Sequence, residues 1–146
     1  IETIGYERET SLLHSGLLLA GAEKAWRGET IPKGLEDGIV SAFELSQLNL
    51  KGCDLVVLSA CETGLGFVNP FCGEIGLKQA LKQAGVGTIV FSLWQIPDDA
   101  SAMLMQSFYN FIIQGIHPRL ALKKAQSNIS KVYKQPYFWA GFSIID

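Results

Sequence analysis

The sequence predicts an α/β fold with a mainly parallel central sheet flanked by helices. Three observations lead there. Residues 54–60 (DLVVLSA) form an apolar run of strand length between turn residues, and the unbroken Leu-Val-Val-Leu suits a central parallel strand buried on both faces. Residues 88–94 (TIVFSLW) form a second run rich in β-branched and aromatic residues. Between and after these runs apolar residues recur at helical spacing, so strands alternate with helices long enough to make parallel crossovers.

Each element has its own signal. In the first fifty residues glycine, proline and charge mark loops around short elements (YERET, WRGETIPKGLEDG, LNLKG), and residues 15–22 (SGLLLAGA) read as a short strand or one arm of a hairpin. Ser41, followed three residues later by Glu44, is a capping-box pair that opens a short helix through Gln47. After the strand at 54–60, Ile75, Leu77, Ala80, Leu81 and Ala84 share one helical face, and Gly85 with Gly87 stops the helix. Pro97-Asp98-Asp99 announces a helix whose apolar face is Ala102, Met105, Phe108, Tyr109 and Ile112, ending before Gly115. A further helix is expected from Pro118 to about Lys131, and residues 138–145 (FWAGFSII) read as the last strand.

A chain of 146 residues fits one domain. Its hydrophobic fraction of 48% is ordinary for a globular protein and argues against disorder. A net charge of −2 supplies no basic field for a nucleic-acid backbone, so no direct nucleic-acid contact is expected. No apolar run reaches the roughly 18 residues of a membrane span, and the first eight residues lack the basic start and apolar stretch of an export signal. No membrane contact is expected. Cys53, Cys61 and Cys72 are an odd number without CxxC spacing, which speaks against a disulfide framework and a zinc site and for a reducing cytoplasm.

Cys61 sits just past the Leu55–Leu58 run, where a packing cysteine would do better inside it. In open α/β sheets ligands gather beyond the carboxyl ends of the strands, and a thiol placed there beside backbone N–H groups can serve as a nucleophile. The competing reading is a small residue at a crowded strand exit. Glu62 and Thr63 are polar, and Gly64 and Gly66 let the loop approach a ligand closely. A dinucleotide fingerprint fails here, because the third glycine position of GxGxxG falls on Asn69 and no Walker lysine follows.

The segment LVVLSACETGLG at 55–66 resembles the nucleophile segment of CHAT domains, caspase-like cysteine peptidase domains of clan CD that are often fused to tetratricopeptide repeats. Further stretches resemble that family in the same order: LLHSGLLLAGA at 12–22, GLEDGIVSAFEL at 34–45, AGVGTIVFSLWQIPDDAS at 84–101 and PYFWAGFSII at 136–145. The resemblance implies a caspase-like sandwich, a protein substrate, a fused or associated tetratricopeptide-repeat partner and no cofactor. It also implies that Cys61 is the thiol of a Cys-His dyad cleaving peptide bonds. An alternative is a catalytically idle interaction or scaffold domain of the same fold.

In the family the dyad histidine precedes the cysteine within a His-Gly pair. His14 and His117 are followed by Ser15 and Pro118, so neither matches. The chain, which opens on Ile1, is therefore expected to be the carboxyl part of a CHAT domain whose His-Gly segment lies upstream, and to be inert as it stands. On the substrate side, Ser92 to Trp94 resembles the strand that pairs with the substrate backbone, although Trp94 also reads as a core aromatic. Asp98 and Asp99 either line a pocket for a basic side chain or cap the helix and complement its dipole. Phe71-Cys72-Gly73 departs from the Gly-Glu-Gly common in relatives, and Cys72 reads as packing. Trp26, Phe138, Trp139 and Phe142 read as core or partner-facing aromatics.

Overall fold

The computed structural model of the chain describes residues 12, 15–59 and 70–146, and of residues 70–75 the backbone alone. Cys61, His14, Ala60 and the glycine-rich loop lie outside the described residues. The chain divides into two compact units, one of residues 1–52 and 64–86 and one of residues 53–63 and 87–146.

In the first unit a two-stranded antiparallel sheet pairs β1 (Gly16–Leu18) with β2 (Ile39–Ser41), and the short helix α1 (Ala22–Trp26) lies between them in sequence. Ser41 ends β2 and caps α2 (Ala42–Ser46). Its hydroxyl accepts from the Glu44 N–H at 3.2 Å, while the Glu44 carboxylate accepts from the Ser41 N–H at 2.8 Å, which closes the expected box. The Ser41 hydroxyl also donates to Glu44 Oε2 at 2.7 Å, and this bond first, with the one from the Ser41 N–H, holds the Glu44 carboxyl below its ordinary pKa. α3 (Pro70–Ala84) opens with proline, whose missing N–H costs nothing at the first helical position. Ala42 and Leu45 of α2 are buried, as are Ala80, Leu81 and Ala84 of α3. Gly85 ends α3 at φ +102°, and a Cβ there would stand 2.8 Å from the Lys51 side chain, so both conformation and space demand glycine.

The second unit holds a three-stranded sheet in the order β3 (Leu55–Leu58), β4 (Thr88–Ser92), β5 (Phe142–Ile145). β3 and β4 are parallel, with Leu58 opposite Phe91. The described sheet is mixed rather than mainly parallel, because β5 runs antiparallel to β4. The reason is the number of helices between them. α4 (Asp98–Ile113) and α5 (Pro118–Val132) are joined by four residues, which makes an αα-hairpin, and an even number of helical passes returns the chain to the end of the sheet it left. β4 is thus the middle strand of the described sheet, and β3, read from sequence as central, is its neighbour.

The core of this unit is built from Val90, Phe142, Ile96, and the inner faces of α4 and α5: Ala100, Leu104 and Phe108 against Ala121, Leu122, Ala125 and Ile129. The face of α4 is rotated from the one its sequence suggested. Phe108 is buried and Met105 and Ile112 pack at the edge, but Ala102 and Tyr109 are exposed, and Ala100 and Leu104 take their place. α5 packs its Ala and Leu positions into this seam, so the helix partner decided between two overlapping apolar stripes. His117 caps α5 through Nδ1, which accepts from the Arg119 N–H at 3.4 Å.

Arg119 also donates through Nε to Asp146 Oδ2 at 2.8 Å, and the Thr88 hydroxyl donates to Asp146 Oδ1 at 3.3 Å, tying α5 and β4 to the residue after β5. The Arg119 bond is the main cause holding the Asp146 carboxyl below its ordinary pKa. A lowered pKa in the fold contributes stability that is full above the unfolded value, about 3.9, and is lost as pH falls through the folded value. Urea midpoints measured from pH 7 to pH 2 should therefore fall in acid with a slope that is shallower in Asp146→Asn. In the core, Phe108→Ala should cost about 3–5 kcal/mol, read as a lower urea midpoint at nearly constant m-value.

Candidate active site

Because β3 and β4 are parallel, both leave the sheet at the same end, and antiparallel β5 enters it there. Leu58, Ser92 and Phe142 therefore stand at one end of the sheet. All five residues of β4 are buried, as Val and Ile between two neighbouring strands require. Ser92, its last residue, is 3% exposed and stands opposite Phe142. The pairing continues one step further, since the Leu93 N–H donates to the Gly141 carbonyl at 2.6 Å. On the β5 side, the backbone of Ser92 and Leu93 is thus engaged by the chain itself.

Trp94 is half-buried and packs against the edge of the core, while its indole is also held from outside. Its Nε1 donates to the Tyr137 carbonyl at 2.9 Å, and the two rings stack with centroids 6.4 Å apart and planes 16° from parallel. Tyr137 answers with its hydroxyl, which donates to the Gln95 carbonyl at 2.6 Å. Phe138 joins the cluster, edge-on to Tyr137 and stacked on Tyr133 at 4.8 Å. Gly141 makes the approach possible. A Cβ there would stand 2.7 Å from Ile96 Cδ1 and 2.9 Å from Trp94 Cε2.

Asp98 and Asp99 open α4 as its first two residues and are exposed. The cap position belongs to Pro97, which makes no side-chain capping bond, so the expectation that these carboxylates cap the helix is corrected: inside the first turn they complement the helix dipole. Cys61, the candidate nucleophile, lies outside the described residues, as does the side chain of Cys72. Cys53 precedes β3 at the other end of the strand, its thiol 3.6 Å from the Leu55 carbonyl. Phe142 is buried, Phe138 and Trp139 are partly buried against the core, and Trp26 is exposed. Among the described residues no group of three or more His, Cys, Asp or Glu side chains is placed to hold a metal, and no helix is long and apolar enough to cross a membrane. A cavity of about 270 Å³ lies beside α1, and none of Ser92, Trp94, Asp98 or Asp99 lines it.

Compared with known families, residues 3–146 match the model of the CHAT domain. The chain belongs to the CHAT family. Over 113 residues it is 32% identical to tetratricopeptide repeat protein 28 of Mus musculus, a match covering 76% of this chain and 4% of that protein. Tetratricopeptide repeat protein 28 of Homo sapiens is likewise 32% identical over 113 residues, with the same coverage. The chain thus spans about one twenty-fifth of the length of these relatives. In this CHAT chain, Ser92 ends β4, Trp94 lies in the irregular segment after it, and Asp98 and Asp99 open α4. Sequence reasoning missed Tyr137 and Gly141, whose signal was present in PYFWAG but whose partners lie more than forty residues away.

Gly141→Ala should test how tightly this end of the sheet is packed. The added methyl must displace Ile96 and Trp94, and overpacking of this kind costs about 1–3 kcal/mol. The expected result is a lower urea midpoint with changed tryptophan fluorescence, and an unchanged midpoint would mean that the two side chains swing away freely.

Proposed function

We propose that the chain is the nucleophile-bearing part of a caspase-like cysteine endopeptidase domain that cuts a specific protein substrate. The observation that carries this reading is the parallel pairing of β3 and β4 in a chain of the CHAT family, with Cys61 three residues past Leu58 in sequence. In α/β sheets ligands bind beyond the carboxyl ends of parallel strands, the end toward which the sequence after Leu58 leads.

In this reading the Cys61 thiolate attacks the scissile carbonyl carbon, and the C–N bond breaks as an imidazolium gives its proton to the leaving amine. Water, deprotonated by the same imidazole, then cleaves the thioester and frees the thiol. The developing oxyanion needs two donors, which the family resemblance assigns to the backbone N–H of the cysteine and of the glycine after the dyad histidine. The imidazole is proposed to come from outside these 146 residues. Neither His14 nor His117 stands in a His-Gly pair, and His117 is already the cap of α5. Substrate is proposed to bind in extended form beside Ser92 to Trp94, with Asp98 and Asp99 receiving a basic side chain. Because the relatives are named tetratricopeptide repeat proteins, a fused or associated repeat array is the proposed partner and the source of activation.

A second reading is an idle interaction domain of the same fold, which absence of a His-Gly pair from the complete protein would support. Labelling separates the two. In the complete protein, a peptidyl electrophile with Lys or Arg at the reactive end should modify Cys61 and fail to modify Cys61→Ala, as located by peptide mass spectrometry. Absence of labelling in the wild type would favour the idle domain. If the acidic pair receives the basic residue, Asp98→Asn or Asp99→Asn should lower the preference for basic over neutral peptides by about ten- to a hundredfold, since a charge-assisted bond contributes about 1.5–3 kcal/mol. Unchanged ratios would leave both residues their dipole role alone.

A further inference from the structure

We propose that Tyr137 is a positioning residue for the substrate-facing end of β4. The proposal rests on the reading of Ser92 and Trp94 as substrate-binding, and adds to it the group that fixes their geometry.

Residues 93–97 leave a fully buried strand and must reach α4 at Asp98 without any regular structure of their own. Such a segment has no helix or long ladder to order it, so its conformation is set by the contacts at its sides. Tyr137 supplies three of these, all from one residue. Its carbonyl accepts from Trp94 Nε1 at 2.9 Å, its ring stacks on the indole, and its hydroxyl donates to the Gln95 carbonyl at 2.6 Å. The hydroxyl and carbonyl bonds run in opposite directions across the same gap, so the side chain of one residue and the backbone of its neighbour are both fixed. Tyr137 itself is braced by the 3-10 turn Pro136–Phe138 and by Phe138, and it is 50% exposed. A tyrosine that only filled the core would bury its ring. This one spends its polar atoms on the segment next to Ser92 and leaves half of its surface outside.

The hydroxyl bond can be removed with the ring and the carbonyl left in place, by Tyr137→Phe in the complete protein. Two measurements are needed. Hydrogen–deuterium exchange, resolved by peptide, should show amides of residues 93–96 exchanging roughly three- to tenfold faster, as loss of one net hydrogen bond implies, with the core of α4 and α5 unchanged. Labelling of Cys61 by the peptidyl electrophile should need a several-fold higher concentration for half-maximal rate, with little change at saturation. Labelling by iodoacetamide, which needs no bound peptide, should be the same in both proteins. A purely structural role would instead lower the melting temperature and alter both reagents together, and that result overturns the proposal. So does unchanged exchange at 93–96, or faster exchange with no change in the peptidyl reagent's concentration dependence. If the wild type never reacts with the peptidyl reagent, the peptidase reading fails, and the exchange experiment alone decides whether Tyr137 holds the segment.

Discussion

β4 is paired along both edges, parallel to β3 and antiparallel to β5, and every one of its residues is out of water. That combination leaves its backbone no partner except the neighbouring strands, since a buried amide or carbonyl left unmade costs about 1–3 kcal/mol. The register is therefore fixed from both sides, and with it the point at which the chain escapes the sheet. Leu58 and Phe91 stand opposite each other, so β3 and β4 run out within a residue of each other, and Ser92 meets Phe142 where β5 begins. The position of the candidate site follows from that register. A slip of either pairing would separate the segments that the sheet now brings to one end.

Beyond β4 the chain is ordered by side chains rather than by the ladder. Leu93 keeps one bond to Gly141, and from Trp94 on the chain is held by the residues before β5: Tyr137 at the indole and at Gln95, and Gly141 by having no side chain in the way of Ile96 and Trp94. The two groups depend on each other. The stack of Trp94 on Tyr137 needs the close approach that glycine allows, and the bond from Tyr137 to Gln95 holds the loop in the path that Ile96 then takes into the core.

These differences in cause explain what the sequence could disclose. Local chemistry was legible: the Ser41–Glu44 box, the stop at Gly85, the openings of α4 and α5 at Pro97 and Pro118, and the apolar runs of β3 and β4, of which β4 is buried throughout while β3, expected to be buried on both faces, is only partly buried. β2 was hidden, because three residues among glycine-rich loops carry no period of their own and become a strand only by pairing with β1. The face of α4 was ambiguous, with two apolar stripes about one residue apart, and α5 chose between them. The antiparallel direction of β5 depends on the count of helices rather than on its own residues. Tyr137 looked like any aromatic in PYFWAG, since its meaning lies in a carbonyl 42 positions away.

If the proposed peptidase reading holds, the electrostatics of the α4 opening bear on how strongly Asp98 and Asp99 would favour a basic side chain. Between Asp99 and Asp146 the sequence contains no carboxylate, while Arg119, Lys123, Lys124, Lys131 and Lys134 lie in that interval. Asp146 is already engaged by Arg119 and Thr88, which leaves Asp98 and Asp99 as the carboxylates of this interval's start. Both stand in the first turn of α4, where the partial positive charge of the helix end offsets part of their own. The dipole role and the pocket role therefore compete for the same charge. The helix end contributes about 0.3–1 kcal/mol to a carboxylate at an exposed position, against about 1.5–3 kcal/mol for a charge-assisted bond to an incoming guanidinium or ammonium. The incoming cation is the larger effect, and a carboxylate steadied by the helix stays in the turn from which it would meet that cation. Complementing the dipole and receiving a basic side chain are thus compatible in one residue, with the first reducing the second without cancelling it.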